Sequence, residues 1–414
     1  MFWRRLWCTS LGVLAMLSSV DAYPVDGYAT TGIRRLELLR LRVEDKLPGN
    51  KPVSGALRST AAIRLHLLEA ADVVAFPDPD RALQKRLDAL FPRLDESYAM
   101  ALLDITPGRA MRFVSRQGER RFAPGSVGKL GIAVGIFAAL QALYPESPSA
   151  RQELLRTRMV VADKWIRTDS HSVPIYDPAD QSSGSRPIQE GDVFSLYEWV
   201  DHMLSASANA AASVVWKEAM LMHAFGQAYP PSREQEAAYF ATTKPGVLRQ
   251  VAMSTVNEPL RRAGIGEHEW QQGTLFTRAA QHIVPGAPSY ATPLGLLRFL
   301  FRLEQGRIVD QWSSLELKRL MYMTARRIRY ASSPALTTSA VYFKSGSLFR
   351  CQPEPEFTCR KYMGNVENVM NSVAIVETPQ GRIYLVALMS NVLRKNSAVD
   401  HQRLATEIER LLAQ

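Results

Sequence analysis

The period of the hydrophobic pattern changes along the chain, and each change predicts a new element. Ile33, Leu36, Leu39 and Val43 recur at helical spacing until residues 47–52 (LPGNKP) break the pattern. A second helix is expected from Pro79 to Phe91. From residue 98 the pattern turns almost continuous. Residues 98–105 (YAMALLDI), a turn holding Pro107 and Gly108, and residues 111–115 (MRFVS) predict a β-hairpin. Residues 122–143 follow directly, with apolar and small side chains on every side, and predict a helix buried in the middle of the protein.

Between Leu143 and Ser333 the chain reads as mostly helical with loop-rich inserts, among them residues 169–187. One helix opens at Ser195 with a capping box, in which the Ser195 oxygen and the Glu198 side chain each satisfy a backbone N–H that lacks a helical partner. Another opens at Thr292 with Pro293 in its first turn and carries Leu294, Leu297, Phe301 and Leu303. Residues 340–348, 371–377 and 382–390 predict three strands, and a helix from about Val399 closes the chain. This order predicts an α/β protein with one sheet assembled from both chain ends and a helical lobe inserted between them. The expected organisation is an N-terminal helical extension over 23–95, a sheet lobe over 96–145 and 335–414, and an all-helical lobe with loop inserts over 146–334. The extension reads as an arm packed on the main body.

Composition narrows the classes. A chain of 414 residues with 46% hydrophobic and 22% charged side chains can bury a full core, which excludes disorder and collagen-like architectures. The formal charge of +10 is spread along the chain with no basic tract after Arg5, so nucleic acid is not expected as a partner. Arg4 and Arg5 precede an uncharged stretch ending at Val20, and Ala22 offers a small residue for cleavage. Residues 1–22 are therefore expected to be a secretory signal, and the mature protein periplasmic or secreted. An uncleaved anchor is the competing reading. No later stretch reaches ~20 uninterrupted apolar residues, so no stable membrane span is expected after signal removal. Cys8 lies ahead of the apolar core, where it predicts no lipidation. The remaining cysteines, Cys351 and Cys359, close a short loop and are expected to form a disulfide in an oxidising compartment. The seven histidines form no HxxxH or HExxH pattern, and no metal or cofactor is expected.

Three short motifs carry candidate chemistry. Ser126 is the only serine followed three residues later by a lysine, Lys129, and positions i and i+3 share a helix face. A serine hydroxyl needs a nearby base to act as a nucleophile, and burial depresses a lysine until its neutral amine can take a proton. Read structurally, the same pair is a capping serine with a snorkelling lysine. Ser207 and Asn209 lie in a helical stretch of small residues, where a hydroxyl and an amide can relay a proton and hold a substrate amide; a close helix crossing is the plainer reading. Lys344, Ser345, Gly346 and Ser347 follow the apolar run 341–343 on a predicted strand. Lysine and hydroxyl can bind a carboxylate, glycine permits backbone approach, and the N–H groups of Ser347 and Ser126 can form an oxyanion hole. An edge strand with a defensive lysine is the alternative, but it leaves the glycine unexplained.

Taken in order, these motifs resemble the S-x-x-K, S-D-N and K-T-G of the penicillin-recognising serine enzymes, class A β-lactamases in particular and D,D-peptidases more distantly. The similarity runs from about Tyr98 to the C-terminus. It implies the β-lactamase/transpeptidase-like fold, an antiparallel five-stranded sheet flanked by helices plus an inserted all-helical lobe. It also implies Ser126 as nucleophile, Lys129 as proton acceptor, Ser207 as relay, Asn209 as a substrate-positioning residue, and Lys344 and Ser345 as carboxylate contacts. The substrate implied is a small molecule or peptide with a carbonyl and a carboxylate, a β-lactam or peptidoglycan stem peptide. The chain departs from the pattern at Ala208, where an acidic residue is usual, and at Ser345, which replaces threonine. It also lacks the E-x-x-L-N element whose glutamate activates the deacylating water in class A enzymes. Glu267 and Glu269 stand in the corresponding stretch and read as surface carboxylates. The expectation is a serine acyl hydrolase, with a peptidase or esterase on the same fold, or a non-catalytic envelope-binding protein, as alternatives.

Overall fold

The computed structural model describes residues 26–325 and 327–414. The expected signal over residues 1–22 therefore lies outside the described residues. The central sheet contains β1 (Ala99–Asp104), β2 (Arg112–Arg116), β3 (Ala340–Arg350), β4 (Glu367–Glu377) and β5 (Ile383–Asn391). Their spatial order is β2-β1-β5-β4-β3, with every neighbouring pair antiparallel. The helices that build the site and its supports are α1 (Arg34–Val43), α2 (Lys129–Leu143), α3 (Leu196–Leu204), α4 (Asn209–Phe225), α5 (Pro245–Arg262), α6 (Pro293–Glu304) and α7 (Ala398–Ala413).

Side chains alternate across the sheet, yet both faces are covered. Ala99, Ala101 and Leu103 of β1 join the core that holds α2 and α6. Met100 and Leu102 join Leu404, Ile408 and Leu411 of α7 on the other face. A strand buried on both sides is apolar at every position, which is why residues 98–105 show no polar alternation. Helix α2 is buried on all sides from Lys129 to Phe137, as its sequence predicts, and Gly131 and Gly135 leave room for Val256 of α5. Among the described residues, the turn and helix over Gly125–Leu143 are the one segment long and apolar enough to cross a membrane, and here that segment is mostly core.

Three expectations need correction. The second helix is shorter, Arg81–Asp88, because Asp80 caps it by accepting the Leu83 N–H at 3.0 Å. The insert 169–187 is largely a hairpin, Ser172–Tyr176 against Ser183–Pro187. The inserted lobe is not all-helical either: Met159–Val161 pairs with Val193–Ser195, and Trp270–Gln271 with Tyr290–Ala291. These ladders are only two to five residues long and are held by backbone bonds, so no period-2 apolar run announces them.

The extension is fastened by buried charge. Arg35 of α1 grips both carboxylate oxygens of Asp201 in α3 and donates to the Met323 carbonyl at 2.6 Å. Its neighbour Arg34 binds Glu198 at 2.8 and 3.1 Å, the same glutamate that completes the capping box with Ser195.

Candidate active site

Ser126 is held by the sheet. Nδ2 of Asn371 in β4 donates to the carbonyls of Ala123 at 2.9 Å and Pro124 at 3.0 Å, just ahead of it. Ser126 sits in a 3₁₀ turn, Gly125–Gly128, that leads into α2, so the serine is not on the α-helix itself. Tight turns of this kind are common at helix N-termini. The i, i+3 relation survives, and Nζ of Lys129 lies 3.0 Å from Oγ of Ser126. Strand β3 presses against this turn. A Cβ at Gly346 would stand 2.2 Å from the Pro124 oxygen and 3.1 Å from the Ser126 nitrogen. A Cβ at Gly125, where φ is +53°, would stand 2.8 Å from the Ser347 nitrogen. Glycine at both positions lets the backbones meet, bringing the Ser126 and Ser347 nitrogens to one seam.

Lys129 is fully buried and gathers the second motif around its amine. Nζ donates to the Ser207 carbonyl at 2.6 Å and to Oδ1 of Asn209 at 2.7 Å, and lies 3.5 Å from Oγ of Ser207. Burial pushes its pKa down to about 7, against the pull of Asp169 in the other direction. A neutral amine has two N–H bonds and one lone pair. The carbonyl and the amide take the two donors, which leaves the lone pair for the Ser126 hydroxyl. Ser207 itself is not helical. It lies between α3 and α4 with φ +62°, a left-handed conformation that costs a non-glycine residue energy and persists where surrounding contacts hold it.

The third motif closes the network. Nζ of Lys344 donates to Oγ of Ser207 at 2.8 Å and to the Ser345 carbonyl at 3.2 Å. Burial first, then the like charges of Lys129 and Arg329, push Lys344 well below the ordinary lysine value. An incoming carboxylate would favour its ammonium form. Arg329 donates to the Gly346 carbonyl at 2.7 Å from behind the strand. Ser126, Lys129, Ser207, Asn209 and Lys344 thus form one connected cluster, with Gly346 and Ser347 against the serine turn.

A cleft of about 940 Å³ opens over Ser126 and is lined also by His171, Asn209, Gln272, Phe276 and Ser347. Gln272 is a site residue that sequence reasoning missed. Its backbone is paired with the Asn257 side chain at 2.9 and 2.8 Å, and its Nε2 donates to Thr274. Its Oε1 is buried with no hydrogen-bond partner among the described residues and lies against Gly128, one residue before Lys129. Glu267 is exposed as expected, but Glu269 is not a surface carboxylate. It is buried against Arg298 at 2.9 Å and accepts the Gly266 N–H at 2.8 Å. The only carboxylate lining the cleft among the described residues is Glu367, opposite Arg350 at the far end of β4. Cys351 and Cys359 are joined. The loop they close returns Tyr362 to Phe349, with ring centroids 6.0 Å apart, and both line the cleft. No three His, Cys, Asp or Glu side chains gather as a metal site among the described residues.

No protein-family model matches the sequence, and no curated protein does. Solved structures match over most of the chain. TLA-1 extended-spectrum β-lactamase aligns with a TM-score of 0.52 at 13% identity, covering 80% of this chain and 99% of that one. A β-lactamase from Chitinophaga pinensis DSM 2588 gives 0.51 at 14% identity, covering 81% and 100%. PBP-A gives 0.51 at 13% identity, covering 82% and 99%. The chain therefore has the α/β fold of the class A β-lactamases and penicillin-recognising serine enzymes.

Proposed function

We propose that the protein is a periplasmic or secreted serine acyl hydrolase that cleaves an amide or ester, β-lactam-like, through an acyl-enzyme on Ser126. The observation that carries this reading is the Lys129 amine, buried and 3.0 Å from the Ser126 oxygen while its N–H bonds are taken by Ser207 and Asn209. Lys129 accepts the Ser126 proton as Oγ bonds to the substrate carbonyl carbon, and the oxyanion forms between the N–H groups of Ser126 and Ser347. The bond to the leaving nitrogen or oxygen then breaks. The proton held by Lys129 passes through Ser207 to that atom, and Lys344 with Ser345 binds a substrate carboxylate. Water cleaves the acyl ester, returning hydrogen to Ser126. Secretion is supported by the N-terminal segment and by the disulfide.

Gln272 favours a second reading, a peptidoglycan D,D-peptidase or esterase that acylates readily and releases β-lactam products slowly. Its amide oxygen can hold a water but cannot take a proton from it at ordinary pH. Intact-protein mass spectrometry after incubation with penicillins and activated esters tests acylation. An adduct on wild type that is absent from Ser126→Ala is expected, and no adduct with any probe would favour a non-catalytic envelope-binding protein. Hydrolysis of a chromogenic cephalosporin compared with a stem peptide and a simple ester then separates the two enzymatic readings.

A further inference from the structure

Helix α4 begins at Asn209 without a cap of its own. Ala208 precedes it with extended backbone and no side-chain acceptor. The acceptor comes from 41 residues earlier, where Oδ2 of Asp169 receives the Ala210 N–H at 2.8 Å. Oδ1 of Asp169 receives the backbone N–H of His171 at 3.1 Å and lies 2.6 Å from its ring Nδ1. The carboxylate is 4% exposed. Burial opposes its charge, but the hydrogen bonds from His171 and Ala210 prevail and hold Asp169 below the ordinary carboxylate value.

The contacts run without a gap from this carboxylate to the serine. Ala210 follows Asn209, Oδ1 of Asn209 receives an N–H from Lys129 at 2.7 Å, and Lys129 reaches Ser126 at 3.0 Å. Lys129 is surrounded by Ser126, Ser207 and Asn209, by the face of the Phe276 ring at 4.8 Å, by the cation Lys344 with Arg329 behind it, and by Asp169 with its partner His171. Asp169 is the charge that strengthens the amine's hold on a proton.

We propose that Asp169 is a positioning residue for acylation: its carboxylate fixes the start of α4, hence Asn209 against Lys129, and supplies the negative charge that acts on the amine. The inference rests on the reading of Ser126 as nucleophile. Its charge and its bond to Ala210 separate experimentally, because asparagine keeps one acceptor oxygen for the Ala210 N–H and gives up the one facing His171, while alanine removes both.

The test is the rate of Ser126 acylation by an activated ester, read by intact mass from pH 5 to 9, for wild type, Asp169→Asn and Asp169→Ala, with thermal melts of each. Acylation needs the neutral amine, so the wild-type rate rises with pH through about 7. Removing the negative charge disfavours the ammonium form, so in Asp169→Asn this rising limb moves to lower pH while the melt falls less than in Asp169→Ala. In Asp169→Ala the limb moves the same way and the plateau falls by about 10²-fold as Asn209 loses its seat. An unmoved limb in Asp169→Asn overturns the proposal, whatever the stability of the alanine variant. A wild type that forms no adduct at Ser126 fails at the earlier step and removes the reading on which the proposal rests.

Discussion

At the scale of single residues, the chemistry depends on how burial treats two lysines. Removal from water disfavours the charge on both, and the environment then separates them: Lys129 has a carboxylate acting on it, whereas Lys344 has only cations. The first is left near neutrality, with its lone pair directed at a hydroxyl. The second is held well below the ordinary lysine value, donates to Ser207 and gains from meeting an anion. Arginine at 129 would retain positive charge at every ordinary pH and offer no lone pair. Lys129→Arg is therefore expected to lower the acylation rate by about 10²–10⁴-fold across pH 5 to 9 and to abolish the rising limb. Stopped-flow or quench measurements with the activated ester check this. A variant that acylates with the wild-type pH profile would show that another base serves Ser126.

At the scale of elements, the proposed release of an acyl group turns on the segment from Trp270 to Ala291. It is tied to α5 through Asn257, and it presents the unpartnered Gln272 oxygen beside the turn that carries Ser126. A carboxylate there can accept a proton from water where the amide cannot. Gln272→Glu is therefore expected to speed release of the acyl group by about 10²–10⁴-fold while leaving the acylation rate within a few fold. The adduct's decay, followed by mass after excess probe is removed, gives that ratio, and an unchanged decay would place the deacylating water elsewhere. Much of this site was legible because Ser126 and Lys129 are neighbours on one turn, and because Gly346 stands in an apolar strand where only a close approach explains it. The break at Ser207 was not legible. Apart from Asn209, residues 203–216 are small or apolar on both sides of it, and the left-handed turn is fixed by Lys129 and by the Ala208 N–H bonded to His202, contacts made only once the chain has folded. Asp169 and Gln272 were missed for a related reason. Each is a polar residue in a loop-like stretch whose partners lie in separate segments, and such residues read as solvated until folding brings those partners to them. The order of strands and helices, by contrast, is carried by long apolar runs and survives in the sequence.

At the scale of the whole molecule, the extension is bound by ion pairs at several depths, and one of them gives a pH test. Glu377, at the end of β4, meets Lys318 at 2.8 Å, His66 at 2.9 Å and Arg58. Lys318 also meets Glu304 at 2.5 Å and donates to the Arg64 carbonyl at 2.6 Å. Arg58, Arg64 and His66 belong to the extension, whereas Glu304 ends α6 and Glu377 ends a sheet strand, so the cluster joins the arm to both lobes. Burial alone would raise the Glu377 pKa, but His66 and Lys318 outweigh it and hold the carboxyl far below the ordinary glutamate range. A carboxylate depressed on folding contributes stability that is fully present above its unfolded value, about 4.3, and is lost as pH falls from there toward the folded value. Glu377→Gln leaves the buried side of Arg58 and part of Lys318 without a counter-charge. At pH 7 it is therefore expected to cost about 3 kcal/mol, the lower end for breaking a buried pair, because Glu304 still serves Lys318. Below pH 4 the difference between wild type and variant should shrink, since the unfolded wild type binds a proton at Glu377 that the folded carboxylate does not, and the stability that charge lends is lost. Urea denaturation at pH 7, 5 and 3 measures both quantities, and a difference that stays constant down to pH 3 would mean that packing, and not the charge on Glu377, holds the arm in place.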